Sequence, residues 1–347
     1  MVLTNSSLYF QHTLHMSTPF PMAIPHEVAE TVAQNRALLE CWAQQTIHKL
    51  PMPSNIEEFQ TKIKLSGWIS HTRVFRPKNR SSGKLPLIVY FHGGGLRAGS
   101  PSMLVRPARY FASTYNAVVV CPSYRLVPEQ PWPQPMRSAW EVLSHLSRHA
   151  ERDFGAKLDD GFIVGGVSAG ATLSSVALGI DILASGPGNS DEKLARPLTG
   201  VFLNCPLFFT DDIVPDMYKH RWTSRHDNAA SENMTTPALS RILAELRPDV
   251  HSPWFSFIHV LERQHDVELR YRPPIFLQAC YHDPLRDDSI IMAEILRNRG
   301  FPVKMDMMPD DGHAAWVTMP WEAKSQNPTM EESTMEGMRW LLEGHGV

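Results

Sequence analysis

Short unbroken apolar runs alternate with longer stretches of helical periodicity over most of this chain. Leu85–Phe91 (LPLIVYF), Ala117–Cys121 (AVVVC), Gly161–Gly165 (GFIVG), Leu198–Cys205 (LTGVFLNC), Pro274–Cys280 (PIFLQAC) and Val303–Met308 each have the length of a strand. Between them, Pro135–Glu151, Ala169–Leu183 and Asp287–Arg299 carry apolar residues at helical spacing, and Glu331–Leu342 closes the chain in the same way. A strand with no polar alternation must be buried on both faces. A series of such strands separated by helices therefore predicts an α/β fold with a mainly parallel central sheet flanked by helices.

Two regions stand outside the alternation. Residues 1–25 show no clear period and read as an arm. From His26 to Leu50, Val28, Val32, Leu38, Leu39 and Trp42 recur at helical spacing until Pro51-Met52-Pro53 stops the helix. Between Phe208 and Leu269 strand signals are few and aromatics and prolines many, the pattern of an inserted, mostly helical lid. The expected plan is an arm and cap helix over 1–65, a first core segment over 66–207, a helical lid over 208–268 and a second core segment over 269–347. The lid's Phe208, Phe209, Met217, Tyr218, Trp222, Trp254, Phe255 and Phe257 are read chiefly as packing residues that together make an apolar pocket.

Composition narrows the class. Of the 347 residues, 43% are apolar and 20% charged, and the formal net charge is −3, with basic residues scattered. Nothing there suits a nucleic-acid partner. No apolar run approaches the ~20 residues of a membrane span. No signal-peptide core stands at the N-terminus, so a cytoplasmic protein is expected. Cys41, Cys121, Cys205 and Cys280 form no CxxC pair, which argues against a zinc or redox motif; Cys121 and Cys280 lie in apolar runs and read as buried hydrophobes. Neither a metal nor a cofactor is expected.

Chemistry enters at four strand ends. Gly166-Val167-Ser168-Ala169-Gly170 fits G-x-S-x-G between a strand and a helix, where a tight turn lifts the serine hydroxyl out of the sheet. His92-Gly93-Gly94-Gly95 follows LPLIVYF directly, and three glycines leave backbone N–H groups free to approach an oxyanion, each worth about 3–4 kcal/mol to a transition state. The N–H of Ala169 completes such a hole. A phosphate loop needs Lys-Ser or Lys-Thr after its glycines, whereas Leu96-Arg97 follows here. A serine nucleophile needs a base and an orienting carboxylate, in the chain order Ser, acid, His. His313, just past VKMDMM, is preferred over His259, His265 and His282 among the sixteen histidines. Asp283, opening Asp283-Pro284-Leu285-Arg286-Asp287, is preferred as the acid; Asp310 and Asp311 are its rivals, and Asp287 and Asp288 read as the cap and first turn of the next helix.

Together these motifs resemble the hormone-sensitive lipase-like family of α/β-hydrolases. HGGG at 92–95, YRLVPEQPWP at 124–133, GVSAG at 166–170, and DPLRD at 283–287 followed by His313 stand in the family's order, over roughly residues 70–345. The resemblance implies an α/β-hydrolase fold with a helical cap, Ser168 as nucleophile, Asp283 as acid, His313 as base, and the N–H groups of Gly94, Gly95 and Ala169 as oxyanion donors. It gives His92 and Gly93 a supporting part, and Arg125 and Glu129 are read as structural. The chain departs from the family at Val167, where Asp is frequent, and at Ala314-Ala315, where Gly-Phe is frequent. The activity implied is hydrolysis of a small-molecule carboxylic ester, in the fungal members often a tailoring step of secondary metabolism. Thioester, amide or lactone cleavage and acyl transfer use the same residues. A non-catalytic ligand receptor, as in the plant gibberellin receptors, is the alternative, against which the retained His313 speaks.

Overall fold

The computed structural model describes residues 32–79, 83–185, 193–231, 234–263, 271–314 and 329–344. Eight strands form one sheet in the order β1-β2-β4-β3-β5-β6-β7-β8. They are β1 (Ile56–Leu65), β2 (Trp68–Pro77), β3 (Leu87–Phe91), β4 (Val118–Pro122), β5 (Phe162–Val167), β6 (Gly200–Asn204), β7 (Ile275–Cys280) and β8 (Val303–Met308). Strands β3 to β8 run parallel, and β1 and β2 add an antiparallel edge.

The unbroken apolar runs belong to the interior strands, every residue of β3, β4, β5, β6 and β7 being buried. Alternate side chains serve opposite faces of the sheet. Leu87, Val89 and Phe91 pack with Met136, Val142, Leu173 and Ala177, whereas Ile88 and Tyr90 pack with Phe111, Ala112, Met338 and Leu341. The first face is thus covered by α3 (Gln134–Phe154) and α4 (Ala169–Ala184), the second by α2 (Val105–Tyr115) and α9 (Thr329–Glu343). Each layer buries apolar area that contributes about 25 cal/mol per Å².

One expected boundary moves. Residues 1–65 are expected as arm and cap, but Ile56–Leu65 is β1, paired residue by residue with β2 from Ile56↔Pro77 to Leu65↔Trp68. An outer strand that buries only Ile56 and Ile63 among glutamate, glutamine and lysine carries no apolar run. Charges on an edge also discourage pairing with other chains. The helix expected over 26–50 is described as α1 (Val32–Lys49), its first turns lying outside the described residues with the 1–25 arm.

Within 208–263 the chain forms a 3₁₀ segment at Asp216–Arg221, then α5 (Ser224–Asp227), α6 (Thr236–Leu246) and α7 (Ile258–Arg263). Phe208, Phe209, Tyr218, Phe255 and Phe257 are buried in the larger core, while Met217 is 69% exposed. Two aspartates hold this segment down from α8 (Arg286–Asn298). Asp288 accepts from the Phe208 N–H (2.8 Å), the Phe209 N–H (3.0 Å) and Trp222 Nε1 (3.0 Å), and pairs with Arg225. Asp287 accepts from the N–H groups of Thr223 and Ser224, both at 2.7 Å. Both aspartates lie in the first turn of α8, but neither caps it: the cap position is Leu285, without a side-chain bond. Among the described residues no helix is long and apolar enough to cross a membrane.

Candidate active site

Ser168 sits between the end of β5 and the start of α4, with φ 54° and ψ −121°, a conformation a non-glycine residue holds only when its surroundings force it. The forcing is visible. Its N–H donates to the Asn204 carbonyl at the end of β6 (2.8 Å), and α4 turns back so closely that a Cβ on Gly170 would stand 2.1 Å from the Phe91 carbonyl oxygen. Only glycine lets the helix start there. The serine hydroxyl is thereby aimed at the loops beyond the carboxyl ends of β6, β7 and β8, where ligands bind in open α/β sheets.

Asp283 follows β7 and His313 follows β8, 30 residues apart in sequence. Nδ1 of His313 lies 2.7 Å from Asp283 Oδ2, and Nε2 lies 2.7 Å from Ser168 Oγ. A carboxylate can only accept, so the ring proton belongs on Nδ1, and Nε2 is left to accept from the serine hydroxyl. The other Asp283 oxygen accepts from the Leu285 N–H (2.8 Å), which fixes the carboxylate plane. All three side chains are buried. Burial by itself holds the His313 imidazole down, but the charge of Asp283 and its hydrogen bond outweigh it and carry His313 above the ordinary imidazole range. Cys205, after β6, also touches this group. Its hydrogen bond with Cys280 and its burial push the thiol well above 9, so at neutral pH it is uncharged and the upward pull on His313 is that of Asp283.

The glycine loop also approaches Ser168, a Cβ on Gly93 standing 3.2 Å from the serine Cβ. Gly94 and Gly95 have φ of 111° and 62°, and a Cβ on Gly94 would meet the Ala98 carbonyl oxygen at 2.2 Å. Ala98 N–H (3.0 Å) and Arg97 N–H (3.2 Å) donate to the Gly94 carbonyl, closing the turn. Among the described residues no carbonyl or side chain accepts from the N–H groups of Gly94, Gly95 or Ala169, so all three remain free for an anion. His92 does not face the serine. Its Nδ1 donates to the Gly93 carbonyl (2.8 Å), and its ring stacks on Tyr124 with centroids 4.3 Å apart. Burial pulls its imidazole down to about 4 against that hydrogen bond, so it is neutral and serves as a prop.

Other candidates from sequence lie elsewhere. His259 donates from Nε2 to the Val250 carbonyl (2.6 Å) and has its Nδ1 3.3 Å from Glu262, His282 packs against Tyr281, and His265 lies outside the described residues. The carboxylate on His313 Nδ1 is that of Asp283, ahead of its rivals Asp310 and Asp311. Arg125 lies over the Trp68 ring, and Glu129 pairs with Arg36 of α1. Arg36 also donates to the carbonyls of Arg97 and Val127, both at 2.7 Å, and so ties α1 to the glycine loop.

Several contributors carried no sequence signal that singled them out. Tyr124 opens the YRLVPEQPWP stretch, and its hydroxyl donates to the His92 carbonyl at 2.9 Å. Cys205 is one apolar-run cysteine among three. Among the described residues, Cys205, Asp283 and His313 form the one group whose ligand atoms could converge on a metal ion, all within 4.8 Å. The atoms of Asp283 and His313 there are engaged with each other and the thiol keeps its proton, so hydrogen bonding accounts for the cluster.

Known proteins resemble this chain in sequence and fold. Versiconal hemiacetal acetate esterase of Dothistroma septosporum is 26% identical over 272 residues, 78% of this chain and 77% of that protein. A carboxylesterase of Mycobacterium tuberculosis is 28% identical over 229 residues, 66% of each chain. The crystal structure of vibralactone cyclase superposes with a TM-score of 0.77 at 23% identity, covering 97% of this chain and 94% of that one, a likeness of fold alone. A family model described by its alpha/beta hydrolase fold matches residues 88–317, well over half of the chain, which therefore belongs to the hormone-sensitive lipase-like family of α/β-hydrolases.

Proposed function

We propose that the protein is a serine esterase that hydrolyses small carboxylic esters through an acyl-enzyme on Ser168. The observation that carries this reading is the continuous line Asp283–His313–Ser168, with both hydrogen bonds at 2.7 Å. Ser168 Oγ attacks the ester carbonyl while Nε2 of His313 takes its proton. The imidazolium so formed is stabilised by Asp283, which keeps its own charge. The carbonyl oxygen, now an anion, is held by the N–H groups of Gly94, Gly95 and Ala169 and by the N-terminal end of α4. His313 then protonates the departing alcohol, and water enters by the same base to release the acid. Esterases among the relatives support ester cleavage over amide or thioester cleavage. We read α1 and residues 208–263 as the cap over this site.

The test is hydrolysis of p-nitrophenyl acetate by the purified protein and by Ser168→Ala and His313→Ala. Both variants should lose at least about 1000-fold in kcat/KM, the scale of losing a nucleophile or its base. Hydrolysis at the parent rate by folded Ser168→Ala would overturn the reading.

A further inference from the structure

Beside Ser168 lies a narrow, almost wholly apolar cavity of about 40 Å³. Its walls include Gly95 and Ala169 on the oxyanion side and Met136, Leu207 and Phe255 from the core, and α6 lays Ile242 across it. His313 is not among its walls. The departing alcohol must lie within reach of His313 Nε2, which protonates it, so this cavity, which His313 does not line, receives the acyl chain. One water-sized sphere needs roughly 10–15 Å³, so a cavity of about 40 Å³ takes about three heavy atoms, the carbonyl carbon on Ser168 and about two beyond it.

Ile242 is the residue that closes it. A Cβ placed on Gly95 would stand 2.9 Å from Ile242 Cδ1, so the isoleucine already rests against the glycine loop. The helix that carries it has little freedom to withdraw. Glu245, on the next turn of α6, is ion-paired with Arg97, a buried guanidinium two residues beyond Gly95. Loop and lid helix are therefore clasped together on the side of the cavity that a longer chain would have to push open.

We infer that Ile242 sets the acyl-chain limit of this hydrolase, admitting acetyl and propanoyl groups and rejecting chains from butanoyl upward. The inference rests on the esterase reading above. In a packed apolar pocket one methylene too many changes kcat/KM by roughly 10- to 200-fold. Truncating isoleucine to alanine removes three carbons, about the volume of the three methylenes that separate propanoate from hexanoate.

The experiment is kcat/KM for p-nitrophenyl acetate, propanoate, butanoate, hexanoate and octanoate, with one leaving group throughout, for the parent, Ile242→Ala, Ile242→Val and Ile242→Phe. The parent should fall at least about tenfold from propanoate to hexanoate. Ile242→Ala should raise the hexanoate-to-acetate ratio by about tenfold or more, Ile242→Val should raise the butanoate-to-acetate ratio by a smaller factor, and Ile242→Phe should lower propanoate relative to acetate. If Ile242→Ala does not fold, the valine and phenylalanine variants carry the comparison. A parent that prefers octanoate, or ratios that stay within twofold in every folded variant, overturns the inference and leaves the esterase reading standing. A folded parent that cleaves none of the five esters overturns that reading, and this inference with it.

Discussion

Asp288 offers the sharpest test of how the cap segment is held over the site. Its carboxylate is fully buried and takes four donors, from the Phe208 and Phe209 amides, Trp222 and Arg225. Burial pushes its carboxyl upward, and Arg225 with the backbone donors pulls it back. In Asp288→Ala the two amides, on residues that are themselves fully buried, lose their acceptor with no water to replace it, at about 1–3 kcal/mol each. Arg225 is partly exposed and can turn to solvent, so it adds less. The sum is about 3–5 kcal/mol. With about 2 cal/mol/K of unfolding entropy per residue, a 347-residue chain should lose about 4–7 °C in Tm. Differential scanning calorimetry measures it directly. Asp288→Asn keeps one oxygen for the two amides and should lose about half as much. A shift below about 1 °C for the alanine variant would refute the claim that these bonds anchor the segment.

Three further outcomes follow from the site. Because Asp283 raises the His313 imidazole, which must be neutral to act as a base, the acid limb of kcat/KM should have its midpoint above the ordinary ~6.5. In Asp283→Asn that limb should move to lower pH while the plateau drops at least about 100-fold, as a pH–rate profile would show; an unmoved limb would be the contrary result. His92 runs the other way for stability. Its folded value of about 4 lies below the unfolded ~6.5, so the unfolded chain takes up a proton first and acidification from pH 7 to 4.5 should cost roughly 2–3 kcal/mol; His92→Gln should lose less over the same window in urea titrations. Gly170→Ala forces a methyl onto the Phe91 carbonyl and should cost at least about 2 kcal/mol and much of the activity, since Phe91 leads directly into the glycine loop; a variant as stable and active as the parent would contradict the tight turn.

How much could be read in advance depended on where the free energy sits. Interior strands such as β3 and β5 are buried on both faces and had to be written in unbroken apolar letters, so they were legible. β1 buries only Ile56 and Ile63, and β2 mixes its buried residues with polar and charged ones such as Ser70, Thr72 and Arg73, so neither carries an unbroken apolar run. The elbow and the glycine loop were legible for a different reason: a backbone at φ 54° or 111°, packed at carbonyl contact distance, restricts the neighbouring letters to glycine. Asp283 and His313 could be ranked by their strand ends, but their approach to 2.7 Å depends on the β7-to-β8 crossover, which periodicity does not specify. Asp287 and Asp288 show the limit most clearly. Two acids in the first turn of a helix fit the ordinary preference of helix N-termini for negative charge, yet their side chains turn to the 208–225 backbone. Ile242 carried no signal at all, because its weight comes from the Gly95 surface it rests on.

The central claim is that Ser168 is the nucleophile, made so by His313. A fluorophosphonate probe reacts with a serine only where a base and an oxyanion hole act together, and mapping the modified peptide identifies the residue. Labelling should fall on Ser168, be absent in Ser168→Ala, and be strongly slowed in His313→Ala. Modification of any other residue, or undiminished labelling of Ser168→Ala, would contradict it.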